Sequence, residues 1–180
     1  MLVRAQRSNE WPEVRRVLTD AFADGGEVAA LAKALHARGD RPVGASLVAE
    51  SDGELIGCVQ LSRAWIDARP ALVEALVLSP LGVAPAYQRR GVGRALCDAA
   101  VARGRHLGIP AIFLEGDPGY YGPRGWQRAG DRGFTAPSVR IPERAFQVVL
   151  LPSWQTWMVG AVIYNDTFWD LDFVGLRDPS

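Results

Sequence analysis

Hydrophobic residues recur along the chain with two spacings, and these spacings predict both helices and strands. Between residues 11 and 35 the apolar positions are three or four apart, which is typical of amphipathic helices. Ser8 or Asn9 is expected to cap the first helix, and the pair Asp52-Gly53 is a turn signal between two apolar runs. The elements predicted for this half of the chain are strands at 2–5, 46–50 and 55–61 and helices at 11–22 and 28–35.

The pattern changes after residue 70, where a long apolar run predicts a strand from Leu72 to Val83. Pro80 cannot donate a ladder hydrogen bond, so this strand is expected to be bulged or unpaired on one side there. A helix is predicted from Gly91, and Asp117-Pro118 is typical of a helix cap. Strands are predicted at 111–114, 126–129 and 145–151, with loops at 63–70 and 130–142. The mixed order favours an α/β sheet with helices on both faces.

Composition narrows the class of protein. A length of 180 residues suits one domain, and 20 basic against 20 acidic residues argue against a nucleic-acid binder that works through bulk positive charge. Two cysteines do not form a disulfide framework, and neither a signal peptide nor a run of membrane-spanning length is visible. His36 and His106 have no partners at metal spacing, so no metal site is indicated. We therefore expect a soluble, cytoplasmic protein without nucleic-acid or membrane partners.

The most informative segment is the glycine-rich stretch from Gln88 to Ala95, which lies between the predicted long strand and the following helix. Free backbone amides and the positive end of the dipole make a helix start suitable for an anion. Gly91 and Gly93 remove the side chains that would hold a phosphate at a distance. Residues 87 to 106 contain five arginines and one acid, Asp98, so this part of a neutral chain is strongly basic.

The glycine pattern of this segment distinguishes three kinds of phosphate-bearing ligand. A mononucleotide P-loop needs a lysine after its last glycine, and none is present here. A dinucleotide site needs a third glycine, and Leu96 stands at that position. Such a site also has an acidic residue about 20 positions further on, and Glu115 lies at about that spacing. The third candidate is the pyrophosphate of an acyl-coenzyme A.

Two motifs in order resemble the GCN5-related N-acetyltransferases. The segment from Gln88 to Gly93 is similar to the Q/R-x-x-G-x-G/A acetyl-CoA signature of that family, and the segment from Gly116 to Trp126 is similar to the G-D-P-x-Y-Y-x-x-x-G-[FW] segment of one bacterial subgroup. The resemblance covers about residues 1 to 151. It implies a mixed, mostly antiparallel sheet with helices on both faces and a splayed strand pair, the acyl-CoA N-acyltransferase fold.

The resemblance also implies where acetyl-CoA is held. The signature amides hold the pyrophosphate, the pantetheine arm pairs with the free edge of the preceding strand, and one or two of the arginines touch a phosphate. No metal is needed. The cofactor-binding residues implied in this way are Leu81, Gly82, Val83, Gln88, Arg89, Arg90, Gly91, Val92, Gly93 and Arg94.

Catalytic residues are harder to assign. The family's general acid stands four residues before the glycine of the G-[FW] pair, which places it at Tyr121, with Tyr120 as the alternative. For the general base, Glu115 at the end of a predicted strand is one candidate and Glu74 is another. Alternatively, the amine arrives neutral and no dedicated base exists.

The remaining sequence is an aromatic-rich tail at 152–180, which we predict to be an extension packed on the domain formed by 1–151. It could cap the sheet, cover the acceptor cleft or form the edge of a homodimer. The predicted activity is acetyl transfer from acetyl-CoA to an amine of a small molecule or peptide by direct attack. The alternative is a non-catalytic acyl-CoA-binding sensor or interaction module with the same fold.

Overall fold

Helices and strands alternate along the chain in this computed structural model, which describes residues 1–39, 42 and 45–176. The long predicted strand has the bounds that the sequence pattern indicates, and the predicted helix after the glycine-rich loop begins one residue later than expected. In chain order the elements are β1 (Leu2–Ala5), α1 (Trp11–Phe22), α2 (Glu27–Ala37), β2 (Ser46–Ser51), β3 (Glu54–Ala68), β4 (Leu72–Val83), α3 (Val92–His106), β5 (Ala111–Glu115), α4 (Pro118–Tyr121), β6 (Gln127–Arg128), β7 (Phe134–Thr135), β8 (Phe146–Leu150), β9 (Gly160–Tyr164) and α5 (Asp166–Asp170).

Hydrogen bonding between strands gives the order β1-β2-β3-β4-β5-β8-β6, and β9 pairs with both β3 and β7. The β4–β5 and β7–β9 pairs are parallel. The β1–β2, β2–β3, β3–β9, β5–β8 and β6–β8 pairs are antiparallel. The predicted mixed, mostly antiparallel α/β fold is therefore confirmed.

The chain divides into two compact units, and strands β3 and β4 run through both. The first unit contains Met1–Ser62 and Leu78–Arg103. Asp52 and Gly53 both have positive φ, 53° and 82°, so the predicted turn joins β2 to β3 as a hairpin. The register shifts where Glu50 pairs with Leu55, and this irregularity lies beside Gly57. Buried side chains of α1 and α2 pack with those of β2 and β3 in one core cluster.

The predicted cap of α1 is wrong. The N-cap residue is Glu10, which makes no side-chain cap bond to the helix. Its carboxylate is already engaged, because Oε2 accepts from the backbone amide of Arg7 at 2.7 Å and Oε1 pairs with the Arg4 guanidinium at 2.6 Å. Ser8 and Asn9 lie in the turn before the helix.

The second unit contains Arg63–Val77 and the described part of Gly104–Ser180. Its core includes the fully buried ring of Phe113, which stacks on Phe146 at 5.6 Å and meets Phe134 edge-on at 5.0 Å. Strand β5 pairs with β8 over five positions. The β4–β5 ladder comprises Leu76–Ile112 and Val77–Phe113.

One expectation about this unit needs correction. The segment at 63–70 is predicted to be a loop, but β3 continues through Ala68 because β9 pairs with it from Ala64 to Ala68. The described part of the tail supplies the strand β9 and the helix α5. In the described ranges no helix is long and apolar enough to cross a membrane.

Candidate active site

The loop that follows β4 has a backbone shaped for an anion. Arg89 and Gly91 have positive φ, 59° and 85°, and α3 begins at Val92. Within the residues that the structure describes, the amides of 89–94 have no backbone acceptor. Successive free amides in such a turn, next to the positive end of a helix dipole, form an anion-binding concavity.

The side chain of Gln88 fastens this loop to the end of β4. Its Nε2 donates to the carbonyl oxygen of Val83 at 3.0 Å. The end of β4 also packs closely against α1, because a Cβ on Gly82 would lie 2.9 Å from a methyl of Leu18. These two contacts join the start of the loop to the end of β4, and the end of β4 to α1.

The arginines of the loop differ in what they contact. The guanidinium of Arg90 lies 5.8 Å from the ring centroid of Tyr87. Arg94 pairs with Asp98 at 3.7 Å, where both side chains are mostly exposed, and such a pair contributes little to stability. Arg89 is exposed. The backbone amides are therefore the ordered donors of the loop, and the guanidinium groups remain at its surface.

Tyr121 lies at the end of α4, whose start is capped as predicted by Asp117, which accepts from the Gly119 amide at 2.9 Å. The ring lies flat against Gly116, where an added Cβ would come within 2.5 Å of Tyr121 Cε2. The Trp126 ring meets it edge-on at 5.8 Å. The position of the half-buried Tyr121 ring is thus set by packing.

Tyr120, the alternative acid, has a different environment. The Arg124 guanidinium lies over its ring at 3.9 Å and donates from Nη1 to the Tyr120 carbonyl oxygen. These contacts join Tyr120 to the turn that follows α4 through its ring face and its backbone carbonyl.

Glu115 ends β5, and its carboxylate Oε2 accepts from the backbone amide of Gly175 at 3.1 Å. Burial raises the pKa of this carboxyl to about 7, although the Gly175 hydrogen bond, the Tyr164 hydroxyl and the charge of Arg140 each act to lower it. The fully buried Tyr164 hydroxyl interacts with the carboxyl without reaching ideal hydrogen-bond geometry. A carboxyl that titrates near neutral pH suits proton transfer.

Glu74, the alternative base, is about half exposed on β4 and pairs with the Arg63 guanidinium at 2.9 Å. Its carboxylate is thus engaged in an ion pair at the surface, whereas the Glu115 carboxyl is largely buried.

The structure adds three neighbours of Glu115 that sequence analysis missed: Arg140, Tyr164 and Gly175. They lie 25 to 60 positions away along the chain, so no local spacing could have indicated them. In the described part of the chain no cluster of His, Cys, Asp or Glu is arranged to hold a metal ion.

A mixed sheet with a fixed, amide-rich loop between its long strand and the next helix defines the class of acyl-CoA N-acyltransferases. The model of the acetyltransferase (GNAT) family matches residues 11–121. The chain belongs to this family, and with it to the N-acetyltransferases, as the two sequence motifs predicted.

Individual relatives agree with this assignment. The uncharacterized N-acetyltransferase YjhQ of Escherichia coli (strain K12) is 33% identical over 132 residues, which is 73% of this chain and 72% of that protein. Among solved structures, the GNAT family N-acetyltransferase YhbS from Escherichia coli in complex with CoA is 26% identical, with a TM-score of 0.82 over 93% of this chain and 91% of that one. A GNAT family acetyltransferase from Brucella melitensis in complex with acetyl-CoA is 27% identical, with a TM-score of 0.73 over 93% and 97%.

Proposed function

We propose that this N-acetyltransferase binds acetyl-CoA through the loop at 88–94 and transfers the acetyl group to an amine by direct attack. The observation that carries the proposal is the row of amides from Arg89 to Arg94, which have no backbone acceptor in the described residues and stand at the start of α3. Six successive amides without a backbone acceptor, next to the start of a helix, suit the pyrophosphate of coenzyme A. The complexes of the two similar structures, with CoA and with acetyl-CoA, support this ligand.

The cofactor residues have distinct proposed roles. The amides of Arg89 through Gly93 bind the pyrophosphate, and the guanidinium groups of Arg89, Arg90 and Arg94 add charge at its edge. Gln88 keeps the loop attached to Val83. Residues Leu81, Gly82 and Val83 offer backbone groups to the pantetheine arm, since the ladder between β4 and β5 ends at Val77.

The chemistry needs two proton transfers. The amine nitrogen attacks the thioester carbonyl carbon, a C–N bond forms, and the C–S bond then breaks. The Tyr121 hydroxyl gives a proton to the departing thiolate, and the Glu115 carboxylate takes the proton that the nitrogen loses. The net products are an amide and CoA in its thiol form: the proton that Glu115 takes from the nitrogen balances the one that Tyr121 gives to the sulfur, and both side chains return to their starting states by proton exchange with solvent.

The proposal extends to the acceptor, the assembly and the location. The acceptor is an amine of a small molecule or peptide, residues 1–151 carry the acetyltransferase and residues 152–180 extend it. We expect the protein to be cytoplasmic and to be able to form a homodimer.

Two measurements test the function. Acetyl-CoA at a hundredfold excess over its dissociation constant is expected to stabilise the protein by about 2.7 kcal/mol, and release of free CoA over a panel of amines reports turnover. Binding without turnover on a broad panel would favour the non-catalytic sensor, and the absence of any thermal shift would reject both functions.

The acid is tested by Tyr121→Phe, with Tyr120→Phe as the matched control. Loss of the Tyr121 hydroxyl is expected to lower kcat by roughly 10²-fold or more with an unchanged acetyl-CoA affinity. The control is expected to keep turnover. Full activity in Tyr121→Phe would remove this residue from the mechanism.

A further inference from the structure

The chain that follows α5 is fastened to the second unit at several points. The amide of Phe173 donates to the carbonyl oxygen of Phe168 at 2.8 Å, and Val174 is completely buried. The amide of Leu176 donates to the carbonyl oxygen of Arg140 at 3.1 Å. The Arg140 guanidinium pairs in turn with Asp172 at 3.2 Å. Residues 172–176, the C-terminal segment, are therefore held in one conformation.

Gly175 is the point of closest approach in this segment. Its φ is +67°, and a Cβ there would lie 2.6 Å from the carbonyl carbon of Arg140. Neither the conformation nor the distance admits a larger residue. Because the backbone passes so close to Arg140, the Gly175 amide is directed at Glu115 Oε2, 3.1 Å away.

We propose that the C-terminal segment is part of the catalytic centre, where the Gly175 amide positions the Glu115 carboxyl for proton transfer. The inference rests on the proposed role of Glu115 as general base. A carboxyl on a flexible side chain has two equivalent oxygens and several rotamers. A hydrogen bond to Oε2 fixes the plane of the carboxyl, so that Oε1 accepts the proton from the attacking nitrogen.

The groups that act on Glu115 come from three parts of the chain: Tyr164 on β9, Arg140 in the segment before β8, and Gly175 in the C-terminal segment. Arg140 is itself paired with Asp172. The amide bond from Gly175 stabilises the ionised carboxylate. If the bond is lost and the site stays buried, the pKa of Glu115 rises. At neutral pH a larger fraction of the base is then protonated and inactive.

The contact itself is tested without an activity assay, by following the Gly175 amide of the full chain in ¹H–¹⁵N correlation spectra as a function of pH. In the wild type the amide proton shift is expected to titrate with a midpoint near the pKa of Glu115, about 7. In Glu115→Gln this titration is expected to be absent. An amide that does not titrate in the wild type overturns the inference.

Its catalytic consequence is tested by Gly175→Ala. The expected result is a fall in kcat of at least tenfold at pH 7, an acidic limb of kcat/KM that moves to higher pH, and an unchanged KM for acetyl-CoA. The matched control is Gly108→Ala, because Gly108 has φ +71° with nothing within 4 Å of an added Cβ. This control carries the positive-φ strain without the clash with Arg140 and is expected to keep the wild-type pH profile.

Failure of the base assignment of Glu115 and failure of the positioning role of Gly175 give different results. If Glu115→Gln keeps full turnover and an unchanged pH profile, the base assignment fails and this inference fails with it. If Glu115→Gln is inactive while Gly175→Ala keeps both the rate and the profile of the wild type, the base stands and only the positioning role of Gly175 is overturned.

Discussion

Gly57→Ala perturbs the junction between β3 and α3, which carries the proposed cofactor loop. An added Cβ would lie 2.9 Å from Leu96 Cδ1, 3.0 Å from Val92 Cγ1 and 3.2 Å from the carbonyl oxygen of Gly82. A flexible side chain could move away, but the Gly82 oxygen belongs to the backbone of β4, and both α3 contacts lie in its first two turns. Relief at the Gly82 oxygen requires β3 to move relative to β4, and relief at the stiff β-branched Val92 requires α3 to move relative to β3.

The magnitude follows from two opposing effects. One extra methyl in a well-packed core costs about 1–3 kcal/mol. A Gly-to-Ala change also stabilises by about 0.4–1 kcal/mol, because it restricts the unfolded chain. The packing cost is larger, and a net loss of about 1–2 kcal/mol lowers the melting temperature by roughly 2–8 °C for a chain of this length.

Differential scanning calorimetry measures the loss, and titration calorimetry with CoA measures its effect on the loop. We expect weaker CoA binding, since Val92 begins α3 and its amide is one of the free amides at 89–94. Gly122→Ala is the matched control, because Gly122 has φ −53° and open space around its added Cβ. A melting temperature and a CoA affinity that both match the wild type would refute the reasoning that Gly57 sets the position of α3.

Three further changes test other parts of the structure. Gln88→Ala removes the bond to Val83, worth about 0.5–1.5 kcal/mol, and should weaken CoA binding by about two- to tenfold in titration calorimetry; an unchanged affinity would contradict the anchoring role. Phe113→Ala empties a fully buried site and should cost about 3–5 kcal/mol in urea unfolding, whereas Leu72→Ala, at an exposed position, should change stability by less than about 0.5 kcal/mol. Glu115→Gln should stabilise the fold at pH 8 relative to the wild type. The raised folded-state pKa of Glu115, about 7, means that the wild type loses stability as pH rises from 4.5 through 7, so the advantage should vanish in melting curves near pH 4.5.

Local signals in the sequence were sufficient for β4 and for the cap of α4. An apolar run bounded by polar and proline residues predicts the limits of β4, Leu72 and Val83, because burial depends on the residues themselves. Asp117 followed by Pro118 is a cap whose acceptor and donor lie two positions apart. The family motifs are equally local, so the fold could be predicted from them.

The second half of β3 could not be predicted in this way. Arg63, Trp65 and Asp67 are polar or only partly buried, and the segment is a strand because β9 pairs with it. That partner lies about 100 positions further along the chain. The strand is therefore a consequence of tertiary pairing, which overrides the local pattern.

The same long-range contacts decide whether Glu115 can act as a base. A carboxylate at a strand end in water keeps an ordinary pKa near 4.3 and accepts a proton weakly at neutral pH. Burial raises the pKa of Glu115, while the Gly175 amide within the covering segment and the Arg140 charge oppose that rise. Burial alone would hold the carboxyl protonated, and the hydrogen bond alone would leave it weakly basic. Together they bring the pKa to about 7, where a base is both ionised and able to accept a proton, so the C-terminal segment belongs to the chemistry as well as to the fold.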